Sequence, residues 1–217
     1  MSRGRMALGA ALATLVGCAT IPPPDYSGYR AHVPRSILVL PPQNETTDVT
    51  APYDYLATVT RPLAEAGYYV FPVAVIDAFL KENGLPTAGE MHAVPLGRIR
   101  EVIGADAVLY VTIEDWGQKY RVISSDTVVK ARASLIDVGT GETLWTGIAF
   151  AQQSSAAGQS DPLAMLIAAL ITQVVSSATD PAHGLASTAN GVMVFDRNRG
   201  FLLGPRHPGF AQDVRGR

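Results

Sequence analysis

One cysteine, four histidines and a few clustered carboxylates are the side chains of this chain that could do chemistry, and their spacing limits what that chemistry is. His32, His92, His183 and His207 stand far apart, and none sits four residues from another, so no helical pair of metal ligands is encoded. No G-x-S-x-G elbow, phosphate loop, H-E-x-x-H or dinucleotide glycine pattern occurs. Glu114 and Asp115 are adjacent near the end of a predicted strand. Successive strand residues face opposite sides, so a solvated strand end is the reading, not an acid pair. Asn44, Glu45, Thr46, Thr47 and Asp48 follow the first predicted strand. Crevices of open α/β sheets lie outside the carboxyl ends of strands, which makes Asn44, Glu45, Thr46 and Asp48 a candidate ligand loop. The alternative is a turn that caps the next helix. Tyr53, Tyr55, Tyr68 and Tyr69 would form an aromatic platform or pack into the core and sheet faces; packing is favoured. No catalytic residue, metal site or cofactor is assigned, and the chain is read as non-enzymatic.

Cys18 is the residue with the clearest chemistry. Arg3 and Arg5 open the chain, Ala7 to Val16 is uncharged and apolar, and Leu15-Val16-Gly17 leads into the cysteine. A positive start, a short apolar run and small residues at the cut describe a secretory signal over residues 1–17. Leu-x-Gly-Cys resembles the bacterial lipobox, in which the thiol carries diacylglycerol by a thioether and the new amine is acylated. Three acyl chains anchor firmly where one is marginal, since each buried methylene contributes roughly 0.8 kcal/mol. The apolar run is short of the ~20 residues a membrane span needs. Ala19, in place of an aspartate, favours the outer membrane by the known sorting rule. Membrane lipid bound through acylated Cys18 is therefore the first expected partner.

The composition supports a folded body. Hydrophobic residues make up 47% of the chain, above the range of disordered segments. The 17 Lys+Arg and 19 Asp+Glu become 15 and 19 once Arg3 and Arg5 are removed with the leader, a net charge of −4. There is no basic stripe, so nucleic acid is not an expected partner. With the sole cysteine acylated, disulfides and thiolate metal sites are excluded.

The elements that would hold this together follow in order. Residues 18–35, with Pro22-Pro23-Pro24, read as an extended tether. Ser36 to Pro41 is a continuous apolar run, a buried strand. Pro42 to Thr50 is a polar loop. Pro52 to Ala66 is a helix with Pro at its start and Gly67 past its end. Tyr68 to Pro72 is a strand, and Val73 to Asn83 a helix with Val75, Ile76, Phe79 and Leu80 on one face and Gly84 as its cap. Leu85 to Pro95 is a loop, Leu96 to Ile103 a short helix, and Ala107 to Asp115 a strand. Thr127 to Val138 and Thr143 to Gln153 form a hairpin about Gly139-Thr140-Gly141-Glu142. Val129, Ala131, Ala133 and Leu135 alternate with polar residues, so one hairpin face meets the core. The order predicts an α/β (α+β) domain over residues 36–179, with a mixed parallel and antiparallel sheet of about five strands and packed helices. Leu163 to Val175 is apolar on nearly every side. It reads as a buried helix or subunit interface, with membrane contact and a span as alternatives. Leu163, Met165, Leu166, Ala169, Leu170 and Val174 are its candidate interface residues, for a homodimer or an envelope partner. Residues 180–217 read as an irregular extension.

Six strings, among them LPPQNETTDV (Leu40–Val49), REVIGADAVLYVTIEDWG (Arg100–Gly117) and LIDVGTGETLW (Leu135–Trp145), together resemble one bacterial lipoprotein family. The other three are Tyr55–Asp77, Glu82–Val94 and Tyr120–Val129, with weaker agreement at GPRHP (Gly204–Pro208). The family is the one filed as domain of unknown function 799, known from a meningococcal surface antigen. The resemblance implies a periplasm-facing lipoprotein, often encoded beside a curli-secretion-channel-like lipoprotein. It also implies a fold similar to the N-terminal domain of the Tol-system translocation protein, a dimer, and no catalytic residues. The expected role is a non-enzymatic accessory of such a secretion or envelope-assembly system. An activator of a cell-wall synthase is the second reading and an envelope hydrolase the third. Extended, residues 19–35 reach only about 50–60 Å, which disfavours a through-wall activator.

Overall fold

The computed structural model describes residues 24–120, 125–154 and 181–217. Cys18 and the apolar run from Leu163 to Val175, with its six candidate interface residues, lie outside these. In chain order the elements are α1 (Ser27–Ala31), β1 (Ser36–Val39), β2 (Gln43–Asn44), α2 (Ala51–Glu65), β3 (Tyr69–Val70), α3 (Val73–Glu82), α4 (Ala88–His92) and α5 (Leu96–Val102). Then come β4 (Ala107–Tyr120), β5 (Ser125–Asp137), β6 (Thr143–Ser154), α6 (Pro181–Phe195) and α7 (Phe210–Gly216).

The sheet runs β3-β1-β4-β5-β6, with β2 also paired to β4. β3, β1 and β2 are parallel to their neighbours, whereas β4-β5-β6 is an antiparallel meander. The mixed α/β class expected from the element order holds. It has six strands because Gln43-Asn44 pairs with Thr112-Ile113 inside what reads as a polar loop. The two prolines between β1 and β2 cannot donate to a ladder, so the chain leaves β4 and rejoins it two residues on.

Helices cover both faces of the sheet. On one, α1, α2, α6 and the segment around Phe201-Leu202 pack against Ile37, Val39, Leu109, Val111, Ile113, Val129, Ala131, Ala133 and Leu135. On the other, Leu38, Leu40 and Val108 meet Ile76 of α3, Leu80, Met91 of α4 and Ile99 of α5. Alternate residues of β1 therefore enter different cores, which is why its sequence is continuously apolar and not alternating. β5 is covered on one face, and its alternation is clean: Val129, Ala131, Ala133 and Leu135 are buried, Lys130, Arg132 and Ser134 are not.

Four expectations need correction. The tether does not run to residue 35: α1 interrupts it, and Tyr26 and Tyr29 are buried at 4% and 0% exposure, so the body begins at Tyr26. The segment Leu85 to Pro95 is not all loop. Thr87 and Glu90 make a reciprocal capping box that starts α4, with Met91 as its one buried residue. α3 presents a narrower face than its spacing implies, since Ile76 and Leu80 are buried while Val75 and Phe79 stay exposed. The stretch after residue 180 is not irregular at its start. α6 packs Ala182, Leu185, Ala186, Ala189 and Met193 into the main core. Small side chains let its backbone approach the sheet, and that packing outweighs the poor helix propensity of its glycines.

Candidate functional site

The strand-end loop is built to satisfy itself. Asn44 Oδ1 accepts from the Thr46 N–H (3.0 Å) and hydroxyl (2.8 Å), and Asn44 Nδ2 donates to the Asp48 carbonyl at 2.7 Å. Asp48 Oδ1 accepts from the Thr50 N–H and hydroxyl at 2.9 and 2.8 Å. These bonds, led by the Thr50 hydroxyl, hold the Asp48 carboxyl below its ordinary value. Glu45 has an exposed side chain, and its N–H donates to the Ile113 carbonyl, 2.9 Å away, in the β2 ladder. Asn44, Thr46 and Asp48 thus spend their polar groups on the turn that leads into α2.

Glu114 and Asp115 are not at a strand end as expected: β4 runs on to Tyr120, and both carboxylates, in its middle, are committed. A bulge between Ile113 and Asp115 breaks the strand alternation there. Glu114 is held by Lys130 at 2.9 Å and Arg132 at 2.7 Å, and Asp115 by Lys119 at 2.6 Å. The Lys130 hydrogen bond, with help from Arg132, keeps Glu114 below the usual glutamate range. A general acid needs a raised pKa, and this arrangement gives the opposite. The histidines remain apart, and among the described residues no group of three His, Cys, Asp or Glu could hold a metal. His92 is half-buried; its Nε2–H donates to the Pro41 carbonyl (2.9 Å), and burial lowers its pKa.

The four tyrosines divide. Tyr53 and Tyr69 are exposed, whereas Tyr55 and Tyr68 are buried. Tyr68 belongs to a clasp that sequence reading missed. Its hydroxyl donates to the Leu202 carbonyl and accepts from the Tyr29 hydroxyl. Tyr26 donates to the Gly200 carbonyl at 2.6 Å, and Trp145 Nε1–H to the Arg199 carbonyl at 2.7 Å. Phe201 lies between, 4.2 Å from the Trp145 ring centroid. The N-terminal arm and the C-terminal segment are locked together in the core.

Two apolar recesses open on opposite sides. One, of about 240 Å³, lies among α3, α4 and α5 and is lined by Leu40, Phe79, Leu80, Leu85, Met91 and Val102. Phe79 and Val102 are exposed at its rim. The other, of about 410 Å³, lies between β6 and the end of α6, with Pro24, Trp145, Ile148, Val192 and Met193 in its lining. The signal for the second was present in the sequence: Ile148 and Phe150 are apolar at positions where the hairpin alternation calls for polar ones. Arg132, Thr146, Asp196 and Arg199 also line the second recess, with Arg132 paired to Glu114 and Asp196 Oδ1 taken by the Asn198 and Arg199 N–H groups.

These features define a three-layer α/β domain whose N-terminal arm is clasped into its core and whose recesses suit apolar contact. The family model described as "Putative lipoprotein GNA1162-like" matches residues 24–206, and the chain belongs to that family. A curated relative, "Putative lipoprotein NMB1124/NMB1162" of Neisseria meningitidis serogroup B, is 39% identical over 201 residues, 91% of this chain and 93% of the relative. The crystal structure of lipoprotein GNA1162 from Neisseria meningitidis is 42% identical, with a TM-score of 0.55, over 66% of this chain and all of that one. The LpoB C-terminal domain from Escherichia coli also matches, at 21% identity and a TM-score of 0.38 over 55% of this chain and 84% of that domain. That likeness is too remote to bear on function. Among the described residues no helix is long and apolar enough to cross a membrane.

Proposed function

We propose that the chain is a lipoprotein held at the outer membrane by acylated Cys18, faces the periplasm, and binds other envelope proteins without performing chemistry. Its working role is an accessory subunit of a secretion or assembly complex built on a curli-channel-like lipoprotein. The observation that carries this reading is the buried arm. Tyr26 is in the core, so at most eight residues separate the body from Cys18, a reach of about 29 Å even fully extended. A domain held so close to its membrane suits a membrane-proximal partner. The same length counts against the second reading, an activator that must reach a synthase through the cell wall, and more strongly than the full 19–35 tether would. The recess among α3, α4 and α5, with exposed Phe79 and Val102, is a docking surface for the partner. The apolar run that includes Leu163, Met165, Leu166, Ala169, Leu170 and Val174 serves self-association or a second partner contact. The Asn44–Asp48 loop acts as a turn, not as a ligand site.

Two measurements test this. Cys18→Ser should abolish incorporation of labelled fatty acid, and label retained on that variant would refute the anchor. A photo-crosslinking residue at Val102, activated in intact cells, should trap the curli-channel-like lipoprotein. Adducts confined to a cell-wall synthase would support the second reading instead.

A further inference from the structure

We propose that the end of the domain formed by β6 and the last turn of α6 rests on the bilayer to which the chain is anchored, through an apolar patch rimmed by arginine. This rests on the lipoprotein reading above. Pro24 lines the recess between β6 and α6, so the arm leaves the body at that recess. Five residues lie between Cys18 and Pro24, six Cα–Cα steps, which is at most about 22 Å of chain. That is shorter than a small domain is wide, so the face at Pro24 is the one the anchor draws against the lipid.

That face has the chemistry an interface requires. Ile148, Val192 and Phe195 are 55%, 59% and 43% exposed. Val192 and Phe195 are one helical turn apart on α6 and project from the same side. Exposed large apolar side chains grouped at one place on a surface call for a partner. Arg132, whose Nη1 also pairs with Glu114 at 2.7 Å, and Arg199 line the same recess. Long cationic side chains beside apolar ones are the pattern of a surface lying at headgroup level, where the apolar groups enter the acyl boundary and the guanidinium groups reach phosphate. Asp196, the acid at this end, has its Oδ1 occupied by the N–H groups of Asn198 and Arg199. The bilayer is the one partner that the chain itself holds within reach. The opposite sheet edge, β3, lies four strands away, about 19 Å at the usual strand spacing.

The test uses the full chain, acylated at Cys18 as shown by its intact mass, in vesicles of phosphatidylethanolamine and phosphatidylglycerol. Acylation leaves an introduced cysteine as the sole free thiol. An environment-sensitive fluorophore is placed at Val192→Cys, at Ile148→Cys, or at Val75→Cys on α3 beside the far edge. Lipids carrying a nitroxide quencher should reduce emission at 192 and 148 at least three-fold more than at 75. Equal quenching at all three sites, or none at 192 and 148, would overturn the proposal. So would a blue shift at 192 without lipid quenching, because protein would then cover the patch. A chain that is not acylated removes the anchor and the inference with it; an acylated chain with no quenching removes the inference alone.

Discussion

A buried phenol without a partner is a liability that a single substitution can measure. Tyr55 is fully buried, and its hydroxyl has no hydrogen-bond partner among the described residues. Burial alone pushes its pKa far up, so it is neutral at every physiological pH. Removing an unsatisfied hydroxyl relieves a desolvation cost, so Tyr55→Phe should leave stability unchanged or raise it by about 1 kcal/mol in urea unfolding. A loss of that size would mean that the hydroxyl has a partner after all. His92 offers a pH signature of the opposite sign. Its folded pKa lies below its unfolded value because burial disfavours the imidazolium. As pH falls through about 6.5 the unfolded chain takes up a proton that the folded chain does not, so stability declines until the folded pKa is reached. The profile should be flatter for His92→Gln between about pH 7.5 and pH 5.5, a window above the ordinary carboxylate range. Parallel profiles for the two proteins would show that His92 contributes nothing to it.

At the scale of elements, the clasp between the arm and the C-terminal segment makes a ranked prediction. Tyr29→Phe removes a donor, but Tyr68 still serves the Leu202 carbonyl, so the cost should be about 1 kcal/mol. Tyr68→Phe strands that buried carbonyl and the Tyr29 hydroxyl together and should cost about 2–3 kcal/mol. Urea midpoints in the reverse order would show that the hydrogen bonds run otherwise. The same region explains a glycine in the GPRHP string. A Cβ at Gly204 would fall 2.7 Å from the backbone of Gly67, which itself has φ +95 and stands 2.5 Å, in the same sense, from the His207 nitrogen. Two chains cross there at backbone distance. The β5 alternation was plain because only one face is covered, and the β5–β6 turn because its glycines mark it. α4 was missed although Thr87 and Glu90 spell its capping box, since five residues with one buried side chain leave no period. The clasp was not legible at all. It joins residues 134 and 174 positions apart, and no local pattern encodes such a pairing. The candidate ligand loop is a related case: its residue types suit ligands and turns equally, and its hydrogen bonds commit Asn44, Thr46 and Asp48 to the turn.

The whole molecule bears on the apolar run between β6 and α6. The main core is closed on its helical side by α1, α2, α6 and the Phe201-Leu202 segment, and the second core by α3, α4 and α5. Tyr29, Tyr55, Leu63, Leu135, Leu185 and Phe201 are each at most 1% exposed. On the proposed reading, in which the run serves association, charges placed in it should spare folding and alter association. Leu166→Glu and Leu170→Glu should each leave the urea midpoint of the body within about 0.5 kcal/mol, the range of substitutions away from a core. Together they should convert any self-associated species to monomer, because a carboxylate buried at an apolar interface costs several kcal/mol without a partner. Light scattering on the eluting protein separates the outcomes. A destabilisation of 2–5 kcal/mol, the scale of truncating a buried leucine, would place the run inside the fold. A natural protein that stays monomeric at high concentration would remove self-association and leave the run to a different envelope partner.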